Sequence, residues 1–372
     1  MARAPHLKAM TPISKMQNRR AHKCAAELPV ERDRGYLGLA GGRVKRLDLQ
    51  LIDVKPARDM QRLSLNQPIP EPLRGAIVAL GNFDGFHLGH QAVVGRAVQR
   101  GAHERRPVIV ATFDPHPVRH FRPDTPPFRL TSLDQRQRLF GAAGADAMLV
   151  FEFNAALAAT TAEDFVVELL AGKIGAAGVV TGEDFTFGQG RVGNAEVLRE
   201  LGAAHGIVAE TVGAVELDGQ PVSSSRIRDA LKAGDPGTAT HLLTRPFAIE
   251  GVVIHGDKRG RDLGWPTANV ELGPYQRPAY GIYAARVRLD DGSEHDGVAS
   301  LGVRPMFDPP KELLEAVLFD WDGDLYGRTI EVALMHYLRS EMIFDGLEAL
   351  MAQMDADAAE AKRLLAGHAP LA

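Results

Sequence analysis

The hydrophobic period of this chain changes once, near Arg245-Pro246, and period is the main sequence signal of secondary structure. Between Ala76 and about Leu243, short apolar runs alternate with stretches patterned at helical spacing. Beyond Phe247 the runs stay short, apolar and polar residues alternate, and turn residues separate them. Strands alternating with helices build a parallel, doubly wound sheet with ligands at the carboxyl ends of its strands. Short strands in series close into an antiparallel barrel. At 372 residues the chain has length for two cores. The expected architecture is α/β followed by β. Residues 61–244 are predicted as a Rossmann-like parallel-sheet domain. Residues 245–372 are predicted as a six-stranded antiparallel β-barrel with a C-terminal helix.

In the first half, strands are expected at 76–80, 107–113, 147–151, 178–181 and 207–212. Ser132, Thr161 (with Asp164) and Asn194 are expected helix caps. The first run leads into Gly81-Asn82-Phe83-Asp84-Gly85-Phe86-His87-Leu88-Gly89-His90, and 91–100 reads as a helix. Gly81 and Gly85 permit a tight turn in which backbone approaches a ligand. Unpaired N–H groups and the helix dipole converge there, which suits a phosphate. His87 and His90, three apart, share a helical face. Two imidazoles at a phosphate can neutralise charge developing on transferring oxygens; a solvated or core-satisfied imidazole is the plain alternative for each. The stretch is neither a P-loop nor G-x-G-x-x-G. A zinc site lacks a third ligand, since the only cysteine, Cys24, is distant in sequence.

Three more strand-end loops carry polar groups. In Asp114-Pro115-His116-Pro117 the two prolines stop a strand or helix from continuing. Residues 182–193, with Asp184, Phe187 and Arg191 among glycines, suit a loop that folds over a nucleotide, or an ordinary surface turn. Ser223-Ser224-Ser225-Arg226-Ile227-Arg228 puts hydroxyls at a helix start before two guanidinium forks. That makes a second anion site, or a plain N-cap. Asp235-Pro236-Gly237 and Thr244-Arg245-Pro246 then bound a short helix.

In the second half, strands are expected at 247–255, 267–272, 281–289, 296–302, 313–319 and 329–338, with Asp290-Asp291-Gly292 as a hairpin turn. Leu347, Leu350, Met351, Met354, Ala358 and Ala361 fall at helical spacing and are expected to pack. Gly256, Lys258, Gly260 and Arg261 form a basic glycine-rich loop that suits phosphates, or a solvated charge run. Thr267 and Asn269, two apart on a strand, face the same way and can both reach a magnesium ion or its phosphates. Glu315 stands amid apolar neighbours, where burial is costly. It is a candidate base or an outward-facing strand residue. The acidic turn 320–327 lacks the position-12 Glu of an EF-hand.

Composition narrows the function classes. The net charge of −4 does not suggest wholesale nucleic-acid binding. One cysteine rules out an internal disulfide framework and fits a reducing cytoplasm. No apolar run approaches the ~18 residues of a membrane span. Residues 1–60 carry net +7, leaving −11 on the remainder. The first twenty residues have no apolar h-region, so a secretory signal is not expected. Residues 1–60 are read as a disordered basic extension.

Together these residues resemble a known family. Gly81–His90 is similar to the His-x-Gly-His signature of nucleotidyltransferases. Its wider form resembles the prokaryotic bifunctional riboflavin kinase/FMN adenylyltransferases, or FAD synthetases. The four loops of the first half match that family's adenylyltransferase module in order, with Ser225 where the family usually has Thr. Pro266-Thr267-Ala268-Asn269 and Asp324-Leu325-Tyr326-Gly327 resemble its kinase module, where Arg304-Pro305-Met306-Phe307-Asp308 departs by losing a hydroxyl at Met306. The resemblance implies that riboflavin, FMN and ATP are substrates and that Mg²⁺ is required. It implies that His87 and His90 stabilise ATP phosphates, that Asn82 and Asp84 lie near the nucleotide and flavin, and that Ser224, Ser225 and Arg226 hold the β- and γ-phosphates. Glu315 aligns with the family's catalytic base. Trp265, Phe319, Trp321 and Tyr326 either face the flavin or pack. A different phosphate adenylyltransferase would leave Pro266–Asn269 and Glu315 unexplained, and intact His87, His90, Asn269 and Glu315 speak against a non-catalytic flavin sensor. A chain beginning at Met60 is expected to fold and keep both activities, checked by thermal melting and by both rates.

Overall fold

The computed structural model describes residues 60–256, 265–304 and 311–371. Six strands form the first sheet: β1 (Gln61–Ser64), β2 (Ile77–Leu80), β3 (Val108–Asp114), β4 (Ala147–Glu152), β5 (Gly178–Gly182) and β6 (Val208–Val212). Their order is β1-β4-β3-β2-β5-β6, and every neighbouring pair is parallel. β2 is buried at all four positions, as expected of a parallel strand covered on both faces. The helices are α1 (Leu88–Glu104), α2 (Pro117–Phe121), α3 (Leu133–Ala142), α4 (Ala155–Ala159), α5 (Ala162–Asp164), α6 (Ala195–Ala204), α7 (Ser224–Lys232) and α8 (Pro236–Leu243). α5 runs on as a π-helix over Phe165–Ile174. Ile77, Ala79 and Val110 pack with Val93 and Ala97 of α1 and Phe140 of α3. Val78, Leu80 and Ile109 point the other way, toward Phe165, Leu170 and Leu198. The strand period of two thus builds two cores from one sheet.

The three expected caps are present. Ser132 forms a full capping box with Gln135, Thr161 accepts from the Asp164 N–H, and Asn194 accepts from Glu196 and Val197. Several elements carry no local sequence signal. β1 has one buried residue in four, so it carries no apolar signal and exists by pairing along β4. β7 (Glu216–Leu217) and β8 (Gln220–Pro221) make a two-residue ladder. The prolines after Asp114 end β3 as expected, but Pro117 also opens α2, at a first-turn position where its missing N–H costs nothing.

Six antiparallel strands close the barrel: β9 (Phe247–Ile254), β10 (Ala268–Glu271), β11 (Gly281–Leu289), β12 (Glu294–Arg304), β13 (Lys311–Leu318) and β14 (Thr329–Arg339). Their order is β10-β13-β12-β11-β14-β9, and β9 pairs back to β10. All six stand where the alternation put them. α9 (Leu347–Leu365) follows, burying Ala358, Ala361 and Leu365 against Ala284 and Phe319. Its expected stripe is only partly a packing face, since Leu347 is 52% exposed.

The two halves are in direct contact. Ile227 and Leu231 of α7 and Leu242 and Leu243 of α8 join one apolar cluster with Phe247, Ile249, Tyr283 and Leu334 of the barrel. Polar contacts converge on Gln135 of α3. Its amide donates to the Ala248 carbonyl at 3.1 Å and to Glu331 Oε1 at 2.8 Å, and its oxygen accepts from Tyr275 Oη at 2.9 Å. Gln135 and Tyr275 are both buried. Gln135→Leu leaves these partners unsatisfied and is expected to cost about 1–3 kcal/mol, read as a lower urea midpoint at unchanged slope.

Candidate functional site

The chain runs from β2 outward to β3, then crosses back to place β5 on β2's other side. Strand order therefore reverses between β2 and β5, and open α/β sheets bind ligands at the carboxyl ends flanking such a switch point. Gly81–His90 follows β2 and loop 182–193 follows β5, so both predicted loops meet there.

The turn after β2 is tight. Gly85 has φ +86°, and a Cβ there would stand 2.8 Å from Leu130 Cδ1. Phe83 (φ 50°) and Phe86 (φ 44°) also lie in the left-handed region, which is costly for bulky residues. Packing holds them: Phe83 meets the His90 and Phe140 rings edge-on. His87 caps α1, with Nδ1 accepting from the His90 N–H at 3.4 Å. The two imidazoles stack with centroids 3.6 Å apart. Burial pushes His87 down to about 4 and His90 well below its ordinary value. Both rings are neutral near pH 7. Asn82 Oδ1, His90 Nδ1 and, at the end of β5, Thr181 Oγ1 are buried without a hydrogen-bond partner among the described residues. Native structures rarely leave such atoms unpaired, so they point to groups that a ligand completes.

Other predicted residues do different work. The buried Asp84 carboxylate accepts from the Leu130 and Thr131 N–H groups and pairs with Arg228 at 2.6 Å; it braces the turn. Ser223 caps α7, Ser224 Oγ donates to the Asp84 carbonyl at 2.9 Å, and Ser225 is exposed in the first turn. Arg226 donates to the Leu217 and Gln220 carbonyls of the β7–β8 hairpin. Asp114 pairs with Arg129. In loop 182–193, Asp184 and Arg191 are exposed, whereas Phe187 is buried against Phe165 and anchors the loop. Four cationic or titratable groups take roles that their sequence positions did not indicate. Arg136, buried in α3, donates to the Asn82 carbonyl at 3.2 Å and to Thr112 Oγ1 at 2.9 Å. His116 caps α2, and burial pushes it down to about 4. Arg228 meets Asp84, and Arg245 reaches the turn from the junction. His116 and the two latter arginines stood inside or beside motifs already noted, but Arg136 has only an ordinary helix-interior pattern.

In the barrel, register builds the second site. Asn269 of β10 stands opposite Glu315 of β13, which stands opposite Ser300 of β12. Residues directly opposite share a face, so the three form one row. Asn269 is buried, and its Oδ1 has no partner among the described residues. Its Nδ2 lies 3.4 Å from Thr267 Oγ1. A Cβ on Gly256 would stand 2.5 Å from that amide nitrogen, so only glycine permits the approach. Two cavities adjoin here. One, of about 260 Å³, is lined by Trp265, Thr267, Val317, Glu315, Leu350 and Met354 among others. The other, of about 40 Å³, is lined by Thr267, Asn269, Trp321, Asp324 and Tyr326 among others. The α9 stripe expected to pack thus gives Leu350 and Met354 to a cavity wall. Phe319 packs under Lys362 of α9 and is not among the residues that line either cavity. Lys258, Gly260, Arg261 and Met306 lie outside the described residues.

The comparisons with known proteins follow the same division. Residues 69–226 match the FAD synthetase model, and residues 243–365 match the riboflavin kinase model. The chain is 42% identical over 294 residues to the bifunctional riboflavin kinase/FMN adenylyltransferase of Pseudomonas fluorescens, covering 79% of this chain and 94% of that protein. The chain belongs to the bifunctional riboflavin kinase/FMN adenylyltransferase family. Other riboflavin kinase/FMN adenylyltransferases agree: that of Escherichia coli K12 is 37% identical, covering 77% of this chain and 91% of its own. A crystal structure described as a macrolide-efflux protein from Streptococcus pneumoniae is 29% identical with a TM-score of 0.72, covering 82% of this chain and 99% of that chain. Its description is of that protein; its likeness here is one of fold. As a member of this family, the chain is an enzyme that phosphorylates riboflavin to FMN and adenylylates FMN to FAD.

Neutral burial of His87 has a consequence for stability. An unfolded His protonates near 6.5, whereas His87 in the fold does so at about 4. Stability is therefore fully present above about 6.5 and lost as pH falls through this window. The urea midpoint of the wild-type protein should drop more steeply from pH 6.5 to 4 than that of His87→Gln.

Proposed function

We propose that FMN is adenylylated at the β2/β5 switch point, by residues 61–244, and that riboflavin is phosphorylated in the barrel, by residues 245–372. The observation that carries the kinase assignment is Thr267, which lines both cavities while Glu315 lines only the larger and Asn269 only the smaller. The larger, with Trp265, Val317, Leu350 and Met354 on its walls, suits the flavin. The smaller suits the phosphates of ATP.

Glu315 accepts the proton of the terminal ribityl hydroxyl as that oxygen attacks the γ-phosphate, the bond to the β-phosphate oxygen breaks and ADP leaves. Thr267 Oγ1 and Asn269 Oδ1, the latter unpartnered among the described residues, are neutral oxygen donors of the kind a hard divalent ion takes, so they fit Mg²⁺. Bound there, Mg²⁺ supplies charge neutralisation at the transferring phosphoryl group. Gly256 keeps the Asn269 amide close to the chain.

In the adenylylation, the FMN phosphate attacks the α-phosphate of ATP and pyrophosphate leaves. The phosphate is already ionised near neutral pH, so no strong base is needed. His87 and His90 enter the reaction neutral and donate N–H hydrogen bonds to oxygens whose charge grows. Ser225, in the exposed first turn of α7, and the N–H groups there suit the outer phosphates. The reading also includes a cytoplasmic location with no nucleic-acid or membrane partner. The net charge of −4 and single cysteine support it, and no helix among the described residues is long and apolar enough to cross a membrane.

Incubation with riboflavin, ATP and Mg²⁺, followed by chromatography of the flavins, tests the assignments. His90→Ala should lower FAD formation on the order of 10²–10³-fold and leave FMN formation intact. Glu315→Gln should lower FMN formation about 10²–10⁴-fold and still convert supplied FMN to FAD. Loss of both reactions in either folded variant defeats the division of labour.

A further inference from the structure

We propose that Arg245, at the start of the kinase half, is a positioning residue for adenylyl transfer: it fixes the turn that carries His87 and His90. The proposal rests on the assignment of that turn as the adenylylation site.

The geometry is specific. The Arg245 guanidinium is partly buried. It donates to the Gly85 carbonyl at 2.7 Å, to Phe86 at 3.3 Å and to Leu243 at 3.1 Å. All its hydrogen bonds among the described residues go to backbone carbonyls. Gly85 and Phe86 both have positive φ, and Phe86 immediately precedes His87. A strained turn persists only when its surroundings over-determine it. Here two donors from different elements do so. Gln91 of α1 donates to the Phe86 carbonyl at 3.0 Å, to Leu243 at 3.2 Å and to Thr244 Oγ1 at 2.9 Å. The junction and the histidine turn are thereby one hydrogen-bonded unit. A planar fork reaching three carbonyls is a task for which Lys is no substitute.

Charge adds a second effect. Burial brings Arg245 down to about 10, so it is still a cation at neutral pH. The charged groups that bear on His87 are Asp84 in the turn, Arg228 of α7 and Arg245; those that bear on His90 are His87, Arg136 of α3, Arg228 and Arg245. Asp84 favours imidazolium, whereas the three arginines oppose it. Arg245 thus helps keep both rings neutral until a phosphate arrives.

The test uses the full chain with Arg245→Met, which removes charge and fork, and Arg245→Lys, which keeps the charge alone. His90→Ala is the control on the underlying assignment. The readouts are kcat and KM for both reactions and the NMR titrations of His87 and His90. In R245M, adenylylation kcat should fall about 10²-fold, the cost of a small misplacement of reacting groups, with KM for ATP little changed and riboflavin phosphorylation intact. Both imidazole titrations should move to higher pH. In R245K the rate should fall while the titrations stay in place. Adenylylation at the wild-type rate in R245K overturns the proposal, and decides alone if R245M does not fold. Equal loss of both reactions, or unmoved titrations in folded R245M, overturns it too. If His90→Ala keeps full FAD formation, the site assignment itself has failed.

Discussion

The buried carboxylate of Asp84 is the interaction on which the arrangement of the first half depends. Removed from water, it must be compensated by donors, and it takes them from two separate segments. The Leu130 and Thr131 N–H groups come from the segment ahead of α3, and Arg228 comes from α7. The histidine turn, α7 and the segment 130–131 are therefore fixed against one another. That same segment reaches the barrel, because Arg129 and Tyr275 form a bridge. Truncating one member of a buried pair like Asp84–Arg228 leaves an uncompensated charge, at a cost of about 3–5 kcal/mol.

Placing the negative charge inside the protein gives the site its electrostatic character. Asp84 is neutralised internally, so the groups facing a ligand are neutral imidazoles with Arg136, Arg228 and Arg245 close behind. On the proposed assignment, a polyanion would meet fixed hydrogen-bond donors rather than mobile surface charges, and donors that need no reorganisation are the effective ones in phosphate chemistry. The same burial that suppresses imidazolium makes the rings sensitive to each added anion.

The barrel solves the corresponding problem with register. Asn269, Glu315 and Ser300 belong to three strands, yet cross-strand pairing sets them in one row. Slipping any strand by one residue would turn its member to the opposite face. The closed barrel, which has no free edge, prevents that slip. α9 then completes the wall of the larger cavity, so packing and cavity lining share one helix.

The sequence by itself determined the period of each half, and through it the parallel sheet and all six barrel strands. It also determined the helix caps at Ser132, Thr161 and Asn194, because capping is decided within four residues. His87, His90, Thr267, Asn269 and Glu315 stand out as candidates for a similar reason: glycine, proline or an isolated polar group marks each of them locally. Tertiary structure alone decided the rest. β1 exists only through its partner strand. Asp84 and Phe187 became internal struts because the donors and rings around them come from distant segments. Leu350 and Met354 face a cavity because α9 crosses the barrel where Glu315 opens. Arg136 and Arg245 enter the first site through desolvation and carbonyl contacts that no spacing in the chain encodes. Local signals report what a residue can do; the low dielectric and the partners that decide what it does arise when remote segments meet.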